Sequence, residues 1–493
     1  MKRKLVIASL VSLLAVTAAA QSSPQSSQSW LTIYNADFAV VRQNLPLDLQ
    51  AGVNHITFAD ATAHIEPDSI ILRDPSGSRT LQILEQNYRN DTVSQAFLLS
   101  FFEGKTLEFQ RGYTDASGKL QLEIISGRVI RSGYSPRGQN AYLEPIVEVN
   151  GKLQFTLPGQ PIFPALNSDA ILKPTLDWLL QTDRPGVGNA ELSYVTGGLN
   201  WHADYNIVAP EKGDVIDLIG WVTINNQSGK DFENARIKLM AGDVHKLQPR
   251  SEAYNLAYKA AREDAAGMAQ VVSEKAFDEF HLYTLERATT LRDSETKQVE
   301  FVAATGVKSQ RLYVYDGAAV SNYSYYGPEQ IREDINYGTQ SNPKVWVMQE
   351  FKNSKLNHLG MPLPKGRLRF YRRDDDGRLE FTGENTIDHT PSDETVRVYT
   401  GNSFDLVGER RRISFHVDSS RKWMDESFEI KVRNHKKEAA EIRVVEHLYR
   451  WTNWQIIDES QKYLKQDAQT IEFRVPVASQ GEQVVTYTVH YSW

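Results

Sequence analysis

Six residues near the middle of the chain carry the side chains with the widest chemical scope. Trp201, His202, Asp204 and Tyr205 lie within five residues, and Asp243 and His245 lie beyond the next expected hairpin. On a strand, alternate side chains point to opposite faces. His202 and Asp204 then share one face, and Trp201 and Tyr205 share the other. An imidazole beside a carboxylate can relay a proton or grip a polar ligand. These six residues are therefore the candidate ligand-binding set. The bland reading is a core aromatic pair backed by a surface His–Asp pair, since ionisable pairs are commonly structural. No catalytic residue is assigned.

Other chemistries lack their residues. Gly133-Tyr134-Ser135 begins a nucleophile elbow but has no closing glycine at the required position. Gly104-Lys105-Thr106 resembles the end of a phosphate loop, yet position 99 is Leu. Histidines never recur at spacings that aim two imidazoles at one metal, and cysteine is absent, so neither metal site nor cofactor is expected. Asp374, Asp375 and Asp376 are consecutive, so they cannot all turn inward around calcium; with Gly377 they read as a hairpin tip. Carboxylate acid–base hydrolysis stays open, because its partners come from separate strands and leave no local motif.

The elements that would position the six residues are strands. Leu176, Trp178 and Leu180 alternate with polar or outward residues, and Val222 and Ile224 alternate with Trp221, Thr223 and Asn225. Asp115-Ala-Ser-Gly118, Asn150-Gly151, Asn226-Gln-Ser-Gly229 and Asp374–Gly377 read as turns. The spacing predicts hairpins at Trp221–Leu239 and Phe428–Val444, whose turns differ in length, so no repeat is assigned. Tyr254, Tyr258, Ala261, Ala265, Met268 and Val272 recur at helical spacing. The expected fold is mostly β: antiparallel β-sandwich domains with one inserted amphipathic helical segment at about 251–280. Pro158, Pro161 and Pro164 suggest a boundary. The expected divisions are an N-terminal β domain over 31–165, a central sandwich over 166–410 and an immunoglobulin-like sandwich over 411–493.

The first twenty residues read as an export signal. Lys2, Arg3 and Lys4 precede an apolar run, and Ala18 and Ala20 supply a cleavage site. A Ser/Gln-rich leader, expected to be disordered, follows over 21–30. The formal charge is −7 and becomes more negative once the signal is lost. No long basic patch stands out, which disfavours nucleic acid, and no later apolar run reaches membrane-spanning length. Val485, Tyr487, Val489, Tyr491 and Trp493 alternate up to the terminus, a pattern shared by the last strand of an outer-membrane barrel and by a sandwich strand.

Tyr194-Val-Thr-Gly-Gly-Leu-Asn-Trp201, Ala203-Asp204-Tyr205, Gly220-Trp221, Asn234-Ala235 and Ala241-Gly242-Asp243 occur in that order. They resemble the bacterial family called domain of unknown function 4139, which also forms the C-terminal part of mucoidy-inhibitor-type proteins. The resemblance runs from about 172 to the C-terminus and implies an all-β exported protein without an assigned activity. The expected role is a non-catalytic interaction or structural module of the cell envelope, periplasmic or extracellular, with a protein or glycan partner. The alternatives are an envelope hydrolase using Asp, Glu and His, and an outer-membrane-associated β protein.

Overall fold

The structure, a computed structural model, describes residues 28–90, 94–135, 144–164, 171–246, 272–319, 325–420 and 422–493. The expected signal, most of the leader and residues 251–271 of the expected helical segment lie outside them. Among the described residues the α-helices are Gln95–Ser100 and Pro328–Glu333, each under two turns long. No helix there is long and apolar enough to cross a membrane.

Two large sheets face each other and bury the alternating apolar side chains read from the sequence. Ser29–Tyr34 lies in the middle of the first sheet. It pairs antiparallel with Phe38–Leu49 and parallel with Phe232–Ala241. Gly186–Gly197 extends this sheet on one side, and Phe280–Leu285 and Val272–Phe277 extend it on the other. The second sheet runs Leu379–Ile387, Gly366–Arg373, Leu199–Ala209, Val215–Asn226, Glu295–Asp316. It then continues through Lys344–Lys352, Thr395–Asp418, Trp423–Asn434, Gly481–Ser492 and Trp454–Glu459. Trp201, Ala203, Tyr205, Val222 and Ile224 point from the second sheet towards Leu31, Ile33, Ile237 and Leu239 of the first, in one continuous core.

Three expectations require correction. The boundary at 165 does not separate two cores, because strands from both sides of it share the first sheet. The unit that does stand apart is an insertion with its own five-stranded sheet. It orders Gln160–Ile162, Thr106–Thr114, Leu120–Arg131, Ile146–Val149 and Lys152–Gln154 around Leu99, Leu107, Phe109, Val129 and Val147. Pro161 is tolerated within it because its strand is an edge strand. The C-terminal core likewise begins before 411, with Tyr315, Val345 and Leu406.

Second, the described part of the expected helix, 272–280, is strand. Val272–Phe277 pairs with Phe280–Leu285 across a tight turn in which Asp278 has φ +55°. Here the first sheet offers an edge, and the segment from Val272 pairs along it.

Third, the two expected hairpins are crossovers between layers. Val215–Asn226 pairs with Leu199–Ala209 and Glu295–Asp316, whereas Phe232–Ala241 joins the first sheet. Trp423–Asn434 pairs with Thr395–Asp418 and Gly481–Ser492, whereas Ala440–His447 pairs parallel with the end of Glu295–Asp316 and antiparallel with Thr470–Val477. Alternation reveals which side chains are buried, not which strand lies alongside.

Both crossovers turn on an asparagine. Asn226 Nδ2 donates to the carbonyls of Lys230 (2.9 Å) and Leu291 (3.3 Å), and its Oδ1 accepts from Ser228 N–H (3.1 Å). Asn434 Nδ2 donates to Glu438 (2.8 Å), Val477 (3.3 Å) and Ala478 (3.1 Å), and its Oδ1 accepts from Lys436 N–H (2.9 Å). In each case a strand with antiparallel neighbours crosses to one held by a parallel and an antiparallel neighbour. The two sandwiches therefore share this corner. After the first corner a bulge between Phe232 and Ala235, where Asn234 has φ +49°, adds one residue to the strand.

Candidate functional site

Leu199–Ala209 places its two faces as the sequence suggests. Trp201 and Tyr205 are buried; Trp201 Nε1 donates to Met240 O (3.2 Å) and Tyr205 Oη to Pro364 O (2.6 Å). Burial pushes the Tyr205 phenol well above its ordinary value, so it stays a neutral donor. Both aromatics belong to the core and are not available to a ligand.

His202 and Asp204 lie on the outer face of the same strand, 3.2 Å apart between Nε2 and Oδ2. The His202 side chain is 50% exposed and that of Asp204 only 8%. Asp204 is enclosed by cations. Arg367, directly across the parallel strand pair, brings Nε and Nη2 to 3.3 Å from Oδ1, and Arg369 Nη1 lies at 3.6 Å. Thr223 Oγ1 donates to Oδ2 at 3.3 Å. Trp221, partly exposed, sits directly opposite Asp204 on the other neighbouring strand. The sheet thus presents a fixed carboxylate among guanidinium groups, an imidazole and an indole. A carboxylate held by several cations and a hydroxyl is a rigid recognition element.

Asp243 and His245 do not join this group. The Asp243 side chain is 89% exposed and meets Lys365 Nζ at 3.4 Å, and His245 is exposed. None of the partners of Asp204 is Asp243 or His245. Among the described residues no group of three or more His, Asp or Glu could hold a metal ion.

Sequence reasoning missed a buried charge network in the C-terminal sandwich. Arg410 Nε donates to both Glu446 oxygens at 2.9 Å, and Tyr487 Oη donates to Glu446 Oε2 at 2.6 Å. Arg450 Nη2 lies 2.8 Å from Glu426 Oε1, and Arg412 reaches the same oxygen at 3.3 Å. The remaining donors clamp a covering segment. Arg450 donates to the carbonyls of Ile331, Asp334 and Tyr337, and Arg410 to that of Gly338. A cavity of about 20 Å³ between these groups has room for a single water. His447 Nε2 lies 3.0 Å from Asp316 Oδ2 beside it. Burial lowers the His447 pKa, but the hydrogen bond and charge of Asp316 outweigh it, and the net shift is upward. One signal could have exposed the network: Glu426 falls in phase with Met424, Phe428, Ile430 and Val432, and Glu446 with Ile442 and Val444. A charge on the buried parity of a strand needs a buried partner.

Residues 190–493 match the profile of the family described as domain of unknown function (DUF4139). That span is more than half of the chain, and the protein belongs to this family. A search of curated proteins gives no match.

Proposed function

We propose that this member of the DUF4139 family is an exported, non-catalytic β-sandwich protein of the cell envelope that binds a protein or glycan partner through the outer face of its large sheet. The observation that carries this reading is the arrangement around Asp204. Arg367, Arg369, His202 and Trp221 surround a carboxylate already fixed in place, on the outer face of the sheet. Trp and Arg are the side chains that most often dominate binding energy at interfaces. A preorganised polar group surrounded by them costs little to order on binding. The Lys2–Ala20 sequence supports export.

The last strand bears on the outer-membrane alternative. Val485, Tyr487, Val489 and Tyr491 turn inward against a second layer, with the rings of Tyr487 and Phe473 5.8 Å apart, so this alternation belongs to a sandwich core. The test is affinity capture from envelope extract with purified protein, in parallel with a His202→Ala/Trp221→Ala/Arg367→Ala variant. A partner retained by the native protein and lost by the folded variant is the expected result. Equal capture by both, or turnover of an envelope substrate abolished by Asp204→Asn, overturns the reading.

A further inference from the structure

The hairpin of Thr106–Thr114 and Leu120–Arg131 outruns its neighbours. Gln160–Ile162 pairs only with residues 108–110, and Ile146–Val149 pairs only within 128–131. Beyond them, residues 111–114 and 120–126 form a two-stranded ribbon whose outer edges have no partner strand among the described residues. A free ribbon of this kind is marginal in water. Natural edges are usually blunted by charges, prolines or bulges to prevent strand addition. This one carries the opposite composition. Leu120, Leu122 and Ile124 line one face at 68%, 65% and 59% exposure. The facing positions Thr114, Gly112 and Gln110 give them little cover.

We propose that the free edge of residues 120–126 pairs antiparallel with the same edge of a second copy of this chain, about a two-fold axis through Leu122. The sequence is complementary to itself in that register. Leu122 meets Leu122 of the second copy, Leu120 meets Ile124, and Ile124 meets Leu120. On the reverse face Gln121 meets Glu123, and each Glu123 is already neutralised by its own Arg111 at 2.8 Å. Sliding the copies by one residue sets leucines against polar side chains. Recentring the axis on Glu123 sets Leu120 against Ser126 on each side, and each Leu120 loses its apolar partner. The pairing creates a four-stranded ribbon with six apolar side chains on one face. The two-fold makes the contact isologous, the commonest way for identical chains to associate. The contact is small beside the roughly 1,200–2,000 Å² of a stable interface, so the dimer is concentration-dependent rather than permanent.

This pairing uses a surface separate from the Asp204 face and is read on purified protein, so its failure leaves the proposed function untouched. The chain has no cysteine, which gives a clean background for cross-linking. Full-length mature protein carrying Leu122→Cys is expected to form a disulfide-linked dimer under mild oxidation. Val187→Cys, at an exposed position in the first sheet, is expected to stay monomeric. In sedimentation equilibrium the native protein shifts from monomer to dimer as concentration rises. Leu122→Arg raises the dissociation constant at least about tenfold with an unchanged melting temperature, as its exposure allows. Three results overturn the proposal: a monomer at every concentration, a dimer indifferent to Leu122→Arg, or equal cross-linking at positions 122 and 187.

Discussion

At the scale of single residues, the buried ion pairs set the firmest expectations. Arg410 and Glu446 are almost fully enclosed, and removing one partner leaves the other charged and unmatched. Glu446→Ala should cost roughly 3–5 kcal/mol in urea unfolding, far more than Glu429→Ala at the exposed Arg411 pair. Replacing Arg410 and Glu446 together by apolar residues of similar volume should cost much less than either single change. His447 sets a pH expectation. Its folded pKa is raised, so its stabilising contribution is complete below the unfolded value of about 6.5 and disappears as pH rises through the folded value. The difference in unfolding free energy between the native protein and Asp316→Asn should therefore shrink as pH increases over that window. A difference that grows would contradict the assignment. These residues were legible only in part. The charges at 426 and 446 break an apolar phase visible in the sequence, but nothing local names the arginines that answer them.

At the scale of elements, the alternating runs give burial well in the two sandwiches, less well at hairpin tips such as Leu120–Ile124, and pairing poorly. Trp201, Ala203 and Tyr205 fall on the inner face as their spacing requires, and the turns at Asp115–Gly118, Asn150–Gly151 and Asp374–Gly377 close hairpins as read. The runs after Asn226 and Asn434 look like returning hairpin strands, yet each crosses to the other layer. The local sequence of a crossover and of a hairpin can be the same; the difference lies in the distant carbonyls that each asparagine reaches, Leu291 for the first and Val477 and Ala478 for the second. Asn226→Ala and Asn434→Ala should each destabilise by roughly 1–3 kcal/mol, the cost of stranding buried carbonyls. Asn206→Ala, on the open face of the same sheet, should have little effect. Comparable unfolding midpoints for all three variants would remove the corners from any special role.

At the scale of the whole molecule, two sandwiches share one corner arrangement, and an insertion with its own core interrupts the first third of the chain. In the C-terminal sandwich Glu426 stands eight residues before its corner asparagine, the place that Leu218 takes in the other. One sandwich thus keeps an apolar core where the other builds an ionic network that fastens the segment around Tyr337 and Gly338. The proposed binding face lies apart from the groups that hold the fold: buried charges fasten the C-terminal sandwich, and His202 and Arg367 beside Asp204 face outward. The sequence could not reveal this division, because His202 and Asp204 look alike as candidates whether they anchor a strand or greet a partner. Proximity in space supplies Arg367, 163 positions away in the chain. The most direct measurement is site-specific photo-crosslinking in intact cells, with a photoreactive side chain placed at Trp221 and, as control, at Val187. A discrete adduct formed in the envelope fraction from position 221 alone is the expected result; no adduct at 221, or the same adducts from both positions, would contradict a binding role for this face.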